Sequence, residues 1–579
     1  MGRARLLHQA NGCRANDCRA NGCNANGSKA TGFRWMARAE PGPSTVDTMI
    51  PASEQKSGLG PWPRGLPFIV VNEGCERFSY YGMKSILKVY LAAWYLEQGS
   101  TQAFAQTRST VAVHLFMMAV YATPLVGAVI ADRYLGKYRT ILWLSLVYCL
   151  GHGVLALCDS SLVGVYSGLA LIAVGAGGIK PCVSAHLGDQ FDASNWGRLE
   201  QAFQIFYFII NLGAFFSTLL IPWVKERFGW SVAFAIPGVL TACATGVFWL
   251  GRRRFVHVPP SPGGRLGLFD ALTAGFAFVA GVALVVPVGP GPLVRIAAGF
   301  LAGLAAWYIY RHRQRIQPQK GFLALSGALL KARLWLGLSR IAALRIVLQR
   351  FPRNDVEGAL AIYRIAVVFL LVSCFWALWD QYATSWLDQA QMMHAQVSLG
   401  SLGSLSILPE QIQAANPILV MLLLPVMSRF VYPRLQRFSR LSSPLGRMTA
   451  GMWVAAASFL LVAALQWRLD TGGRVHLLWQ LGPYLLLTVS EILVSITGLE
   501  FAYSQAPHRV KSLVMSFWLL TTAAGNLLTA WLAEWLTLPL REFFLVFTLL
   551  MSAAAFVFGI VARRYRYRDY PQPSLTSAH

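Results

Sequence analysis

VNEGCERFSYYGMKSIL, residues 71–87, lies inside the first long apolar run of the chain yet carries Glu73, Glu76, Arg77 and Lys84. On an α-helix Glu73, Glu76 and Arg77 stand at i, i+3 and i+4, and Lys84 returns to the same face seven residues after Arg77. The charges therefore form one polar stripe on an apolar rod. A charge near the bilayer centre costs about 2.5–3.5 kcal/mol on insertion scales, so the stripe has to line a water-filled cavity or pair internally. Mutual neutralisation of Glu76 and Arg77 at a helix end would need only those two; a second carboxylate at helical spacing, followed by SYYG, points to a cavity.

The rest of the chain supports a membrane setting. Its 579 residues are 55% hydrophobic and 13% charged, with a mean hydropathy of +0.48, too apolar for a soluble protein of this size. Apolar runs long enough to cross a roughly 30 Å hydrocarbon core recur between Leu66 and Ala562. Fourteen spans are predicted, at 66–95, 108–131, 140–158, 161–187, 199–222, 230–250, 267–288, 293–310, 363–387, 415–433, 446–466, 476–500, 511–534 and 541–562. They divide the chain into a polar tail (1–62), a six-helix bundle (63–256), two extra helices with a basic linker (257–362), a second six-helix bundle (363–565) and a short tail (566–579).

A net charge of +25 would suggest nucleic acid in a soluble protein, but here its distribution gives another reason. Arg133, Lys137 and Arg139, then Arg252 to Arg254, Arg434 to Arg447, Arg509 and Lys511, and Arg563 to Arg568 all fall on one side if the spans alternate. The positive-inside rule makes that side cytoplasmic and places both termini there. Within 257–362, LKARLWLGLSRIAALRIVLQR (330–350) spaces basic residues among apolar ones as a linker lying on an anionic leaflet would. Residues 10–30 repeat Ala, Asn and Gly without an apolar face, so disorder is expected, and translation from a later start at Met36 or Met49 explains them as readily as a function. Of nine cysteines, Cys13, Cys18 and Cys23 sit in this tail without His or acidic partners in register; the other six lie in or beside spans as small hydrophobes, so no metal site or disulfide framework is expected.

Further polar residues fall within the apolar runs: His114, Lys180, Asn211, Arg364, Asp380, Asn416, Glu491 and Glu500. Taken singly each is a weak signal, and a lone His is more often a hydrogen-bonded core residue. Together they offer both signs of charge, with Lys180 in one half and Glu491 in the other, an arrangement that suits a zwitterion. GAVIADRYLGKYR (127–139) fits the G-x-x-x-D-R-x-x-G-[RK] loop of the major facilitator superfamily, making Asp132, Arg133 and Lys137 gate residues, with the Asp paired to basic neighbours.

NEGCERFSYYG (72–82), GAGGIKPCVSAHLGDQFD (175–192) and FYFIINLGAF (206–215), extended by FWALWDQ (375–381) and GLEFAYSQAP (498–507), resemble the signatures of the proton-dependent oligopeptide transporters of that superfamily. The resemblance implies an all-α membrane protein with the major facilitator fold, two six-helix bundles plus two extra transmembrane helices. It implies proton-coupled import of di- and tripeptides across the inner (plasma) membrane by a monomer, with protons as coupling ion, no cofactor and no nucleic-acid partner. It assigns proton coupling to Glu73, Glu76, Arg77, Lys180 and His114, which lies seven residues before Tyr121 as the family's second-helix His does in animal members. It assigns the peptide site to Tyr80, Tyr81, Lys84, Tyr121, Lys180, Asn211, Asp380, Asn416, Glu491 and Trp518. Glu491 would take the amino terminus and Lys180 and Lys84 the carboxylate. Two residues depart from the pattern: Lys84 stands where many members have Arg, giving a point charge instead of a fork, and Ser428 stands where some members place an Asp opposite Arg364. A carrier of another anion on the same fold, a membrane enzyme and a channel are the alternatives. The intact charge set, the absence of hydrolase or metalloprotease motifs and the gate loop weigh against them in that order.

Overall fold

The structure, a computed structural model, describes residues 60–568 except 193, 288–290, 319–324, 326–327, 329–346, 399–403, 436, 438–440 and 507–510. The repeat at 10–30 with its three cysteines, most of the basic linker and the last eleven residues of the C-terminal tail lie outside them. Rods α1 (Leu66–Glu97), α2 (Gln102–Ala122), α3 (Pro124–Ile130), α4 (Lys137–Leu157), α5 (Leu162–Gly188) and α6 (Leu199–Leu250) build the first bundle. A hairpin, α7 (Gly264–Val285) and α8 (Pro292–Ile316), follows. The second bundle contains α9 (Arg353–Trp379), α10 (Ser385–Gln391), α11 (Ala415–Val426), α12 (Tyr432–Leu435), α13 (Pro444–Asp470), α14 (Leu481–Glu491), α15 (Thr497–Ser504), α16 (Lys511–Trp535) and α17 (Leu540–Arg564). A small antiparallel pair, Gln396–Ser398 with Ser404–Ser406, closes the connection after α10.

Among the described residues, eleven helical segments have the length and hydropathy to cross a membrane. Three differences separate these from the fourteen expected spans: α1, which carries the charged stripe, and α16, the expected 511–534, are not among the eleven, and the expected spans 199–222 and 230–250 run on as α6, bent where Gly229 adopts φ 81°. That left-handed conformation suits a residue without Cβ and turns the chain without a loop.

Burial separates the two halves. Ile69, Tyr80, Leu87, Met117, Ile172 and Phe234 belong to one apolar core, and Phe375, Trp386, Met452, Phe459, Tyr484 and Phe547 to another. Met118, Ala122 and Ala523 form a third cluster where α2 meets α16, and Phe278 and Val286 at the hairpin pack against it. The hairpin is held together by Arg313, whose Nε donates to Asp270 Oδ1 at 2.8 Å, and by the Trp531 indole of α16, which donates to the Val285 carbonyl at 3.0 Å.

Three rods are interrupted by π turns: Ala131–Leu135 after α3, Met427–Val431 after α11 and Ile492–Ile496 after α14. The first two occupy matching places in the two bundles, ADRYL against MSRFV. Such turns concentrate at functional sites.

Candidate functional site

The stripe on α1 folds as its spacing predicts. Arg77 Nε lies 3.0 Å from Glu73 Oε1, and its guanidinium also pairs with Glu76, all three being nearly fully buried. One cation thus clamps two carboxylates. Lys180, from α5, lies within electrostatic reach of both carboxylates but is not bonded to either. Its ammonium sits over the rings of Tyr80 and Tyr121, 4.5 and 4.0 Å from the centroids, and its buried Nζ has no hydrogen-bond partner among the described residues. A cation held by π-faces keeps its hydrogen-bonding capacity for an incoming anion. Tyr81 packs edge-on against Tyr80, with centroids 5.2 Å apart.

Across the seam, Glu491 ends α14 immediately before a π turn. Asn416 Nδ2 donates to Glu491 Oε2 at 2.8 Å and also to Thr488 Oγ1 at 3.2 Å. Tyr81, Tyr207 and Lys84 are within electrostatic reach of Glu491. Asn211 bonds back to the Tyr207 carbonyl on its own helix at 2.9 Å. Trp518 packs inside the second bundle, 5.5 Å from the Phe369 ring and against Gly498, where a Cβ would collide with the indole.

Lys84 and Asp380 are paired with each other. Lys84 Nζ donates to Asp380 Oδ1 at 2.9 Å and to Tyr382 at 3.3 Å, and both ionic side chains are at most 2% exposed. Asn526 Nδ2 donates to the other Asp380 oxygen at 2.6 Å, and its Oδ1 lies 2.8 Å from His114 Nδ1. Because that Asn oxygen can only accept, His114 carries a proton on Nδ1. His114 Nε2 lies 2.9 Å from the Thr384 hydroxyl. A single buried chain of bonds, Lys84–Asp380–Asn526–His114–Thr384, therefore joins the two bundles.

Sequence reasoning missed three further bridges between the bundles. Lys88 pairs with Asp388 at 2.6 Å, Lys225 with Glu410 at 2.7 Å, and Arg108 with Glu534 at 3.0 Å. All lie toward the end of the molecule that carries the 98–101 and 392–414 connections. At the opposite end the expected gate loop is present, but its pairing differs. Lys137 bonds to Asp189 at 2.7 Å and not to Asp132, which is exposed on the π turn, because the end of α5 brings Asp189 to the start of α4. Arg133 NH1 donates to the Ser261 carbonyl at 3.3 Å. Ser428 bonds back to the Pro425 carbonyl at 3.1 Å within its own rod, so it does not replace the acidic partner expected opposite Arg364. No group of three metal-binding side chains occurs among the described residues.

Two helical halves, with buried charges of both signs facing the seam and ion pairs joining them, have the architecture of a transporter. The profile of the POT family (PTR2) matches residues 138–543. Peptide transporter family 1 of Drosophila melanogaster is 33% identical over 424 residues, covering 71% of this chain and 48% of its own. Solute carrier family 15 member 2 of Homo sapiens is 32% identical over 423 residues, 71% and 50% of the two chains. The chain spans about half the length of the curated relatives it matches. The in meso crystal structure of the POT family transporter PepTSo superposes with a TM-score of 0.72 at 36% identity, covering 88% of this chain and all of that one. An auto-inhibited POT family peptide transporter superposes at 0.71 with 37% identity, covering 88% of this chain and 99% of that one. The chain belongs to the POT family within the major facilitator superfamily, whose members are transporters and not enzymes.

Proposed function

We propose that the protein is a proton-coupled symporter that brings di- and tripeptides into the cell by alternating access. The observation that carries this reading is the pairing of opposite charges across the seam: Lys180 caged by Tyr80 and Tyr121 on one side, and Glu491 steadied by Asn416 on the other. A peptide zwitterion would place its carboxylate on Lys180 and its amino terminus on Glu491. Backbone bonds from Asn211 and Asn416 and walls of Tyr80, Tyr81 and Tyr121 would tolerate varied side chains. Trp518 would act through the packing of the second bundle.

Coupling would arise on α1. Arg77 holds Glu73 and Glu76 together, so protonating either carboxylate loosens the clamp and changes the field at Lys180. Dissipating the proton on the other side restores it. His114 can take part because a proton on Nε2 would be accepted by Thr384, whose hydroxyl can turn to the Gln381 carbonyl 3.4 Å away.

With both termini cytoplasmic, the bonded end would face outward, and Asp132, Arg133, Lys137 and Arg364 would belong to the cytoplasmic gate. The protein would act as a monomer in the plasma membrane with protons as its coupling ion and no cofactor. The test is uptake of labelled dialanine by liposomes containing the purified full chain. Accumulation should require an inward proton gradient and be competed by di- and tripeptides but not by free amino acids. Accumulation indifferent to the gradient would refute the coupling, and indifference to peptides would refute the substrate.

A further inference from the structure

Two cavities lie at the basic end of the first bundle, and none of the residues assigned to the peptide site lines either. The first, about 450 Å³, is an apolar groove between α3 and α7, walled by Val126, Ile130, Leu268, Leu272 and Phe276. The second, about 410 Å³, is mixed, with Lys137, Arg139, His186 and His257 in its lining beside Val258, Pro259 and Pro260. Tyr134 and Leu135, on the π turn, line both, so the two lie side by side. Gly267 explains why they form. A Cβ there would collide with the Arg133 carbonyl, so α7 touches the turn at its first residues, and the groove lies beyond that contact, between α3 and α7.

We propose that this composite cavity binds one anionic glycerophospholipid from the leaflet on the basic side of the membrane. Its apolar part runs along α7 from Leu268 to Val279, roughly 16 Å at 1.5 Å per residue, which is about one leaflet of a ~30 Å core. That depth accommodates an acyl chain entering from the membrane, and α7 is otherwise unburied along its apolar window. The polar part sits where a phosphate would lie. No carboxylate lines it among the described residues; Asp189 is close, but it is occupied by Lys137, and Asp132 stands exposed on the π turn outside the lining. His186, 1% exposed, lines this pocket and has an Nε2 without a hydrogen-bond partner among the described residues. A phosphodiester supplies both the charge for Arg139 and the acceptor for His186. A peptide or a neutral lipid supplies neither along with a chain to fill the groove.

The site is independent of the substrate, so its test does not depend on transport. The full chain is released from nanodiscs holding equal phosphatidylglycerol and phosphatidylcholine, and retained lipid is read by native mass spectrometry. The wild-type chain should keep one phosphatidylglycerol in preference to phosphatidylcholine. Arg139→Gln should cut that preference by roughly fivefold, the effect of one basic side chain at a membrane surface. Gly275→Phe fills the groove at a position where an added Cβ meets nothing within 4 Å, so the fold should survive while retention of the lipid falls. Equal retention of the two lipids, or retention unchanged in Gly275→Phe, would mean annular lipid only and overturn the proposal. Displacement by millimolar inorganic phosphate would show an anion pocket without a lipid site and overturn it equally.

Discussion

Arg77 is the residue on which the charge arrangement turns, because one guanidinium holds two buried carboxylates that would otherwise repel. Glu73→Gln removes one proton acceptor while keeping the shape of the site. Gradient-driven accumulation of dialanine should be abolished while counterflow of peptide persists, as measured in the same liposomes; loss of both would show that Glu73 is needed for binding. Glu491→Gln leaves the Asn416 bond possible but removes the charge that would face an amino terminus. We expect the KM for peptides with a free amino terminus to rise about tenfold, in line with a lost charge-assisted bond of about 1.5 kcal/mol, with little change for N-acetylated peptides. The α1 cluster was legible because its charges share one helical face. Lys88 sits one turn beyond Lys84 and was not singled out. Its partner, 300 residues away, stands at the end of a predicted span where a charge reads as an ordinary rim residue.

At the scale of single elements, the hairpin shows what hydropathy conveys and what it does not. Its two rods were legible from their apolar length, whereas their attachment to both bundles through Phe278, Val286 and Trp531 carries no pattern in a single chain. Arg313, 1% exposed, reads as the end of a basic tail in sequence but is the clasp of the hairpin through Asp270. Arg313→Ala leaves a partly buried carboxylate unpaired and should destabilise the hairpin by about 1–3 kcal/mol. The measurement is limited proteolysis in the segment after α8, which should quicken, with proton-driven uptake in liposomes retained. The bend at Gly229 was likewise hidden, since a polar connector and a sharp turn within one rod have the same composition.

For the whole molecule, four ionic contacts join the bundles among the described residues, Lys84–Asp380 and, toward one end, Lys88–Asp388, Lys225–Glu410 and Arg108–Glu534. Breaking a buried pair by deleting one partner costs about 3–5 kcal/mol, much of it from the charge left behind. Asp388→Ala should therefore shift the population toward the state open at that end, seen as a longer distance between spin labels placed across the seam. The exchange Lys88→Asp with Asp388→Lys should bring the distance part of the way back; a distance unmoved by Asp388→Ala would show that the pair does not hold this end shut. The two-bundle plan was legible from the recurrence of spans, but the gate chemistry was not, because each bridge joins residues that only the assembled halves bring together. The gate loop itself shows the limit: its motif was found, yet Lys137 takes Asp189 because the end of α5 lies closer than the motif's own Asp132.

The π turns add a mechanical asymmetry. Each stores one residue more than an α-helical turn, so a rod carrying one has slack that it can take up or give out by changing its winding. In the first bundle that slack is braced, since α7 rests on the Ala131–Leu135 turn at Gly267. In the second, the Met427–Val431 and Ile492–Ile496 turns abut through Met427, Ile492 and Leu493, directly beyond Glu491. The chain thus has a turn braced by the hairpin in one half and two turns packed on each other in the other. Flexure provoked at Glu491 would be taken up in its own half, while the half holding Arg77 and its carboxylates keeps its shape.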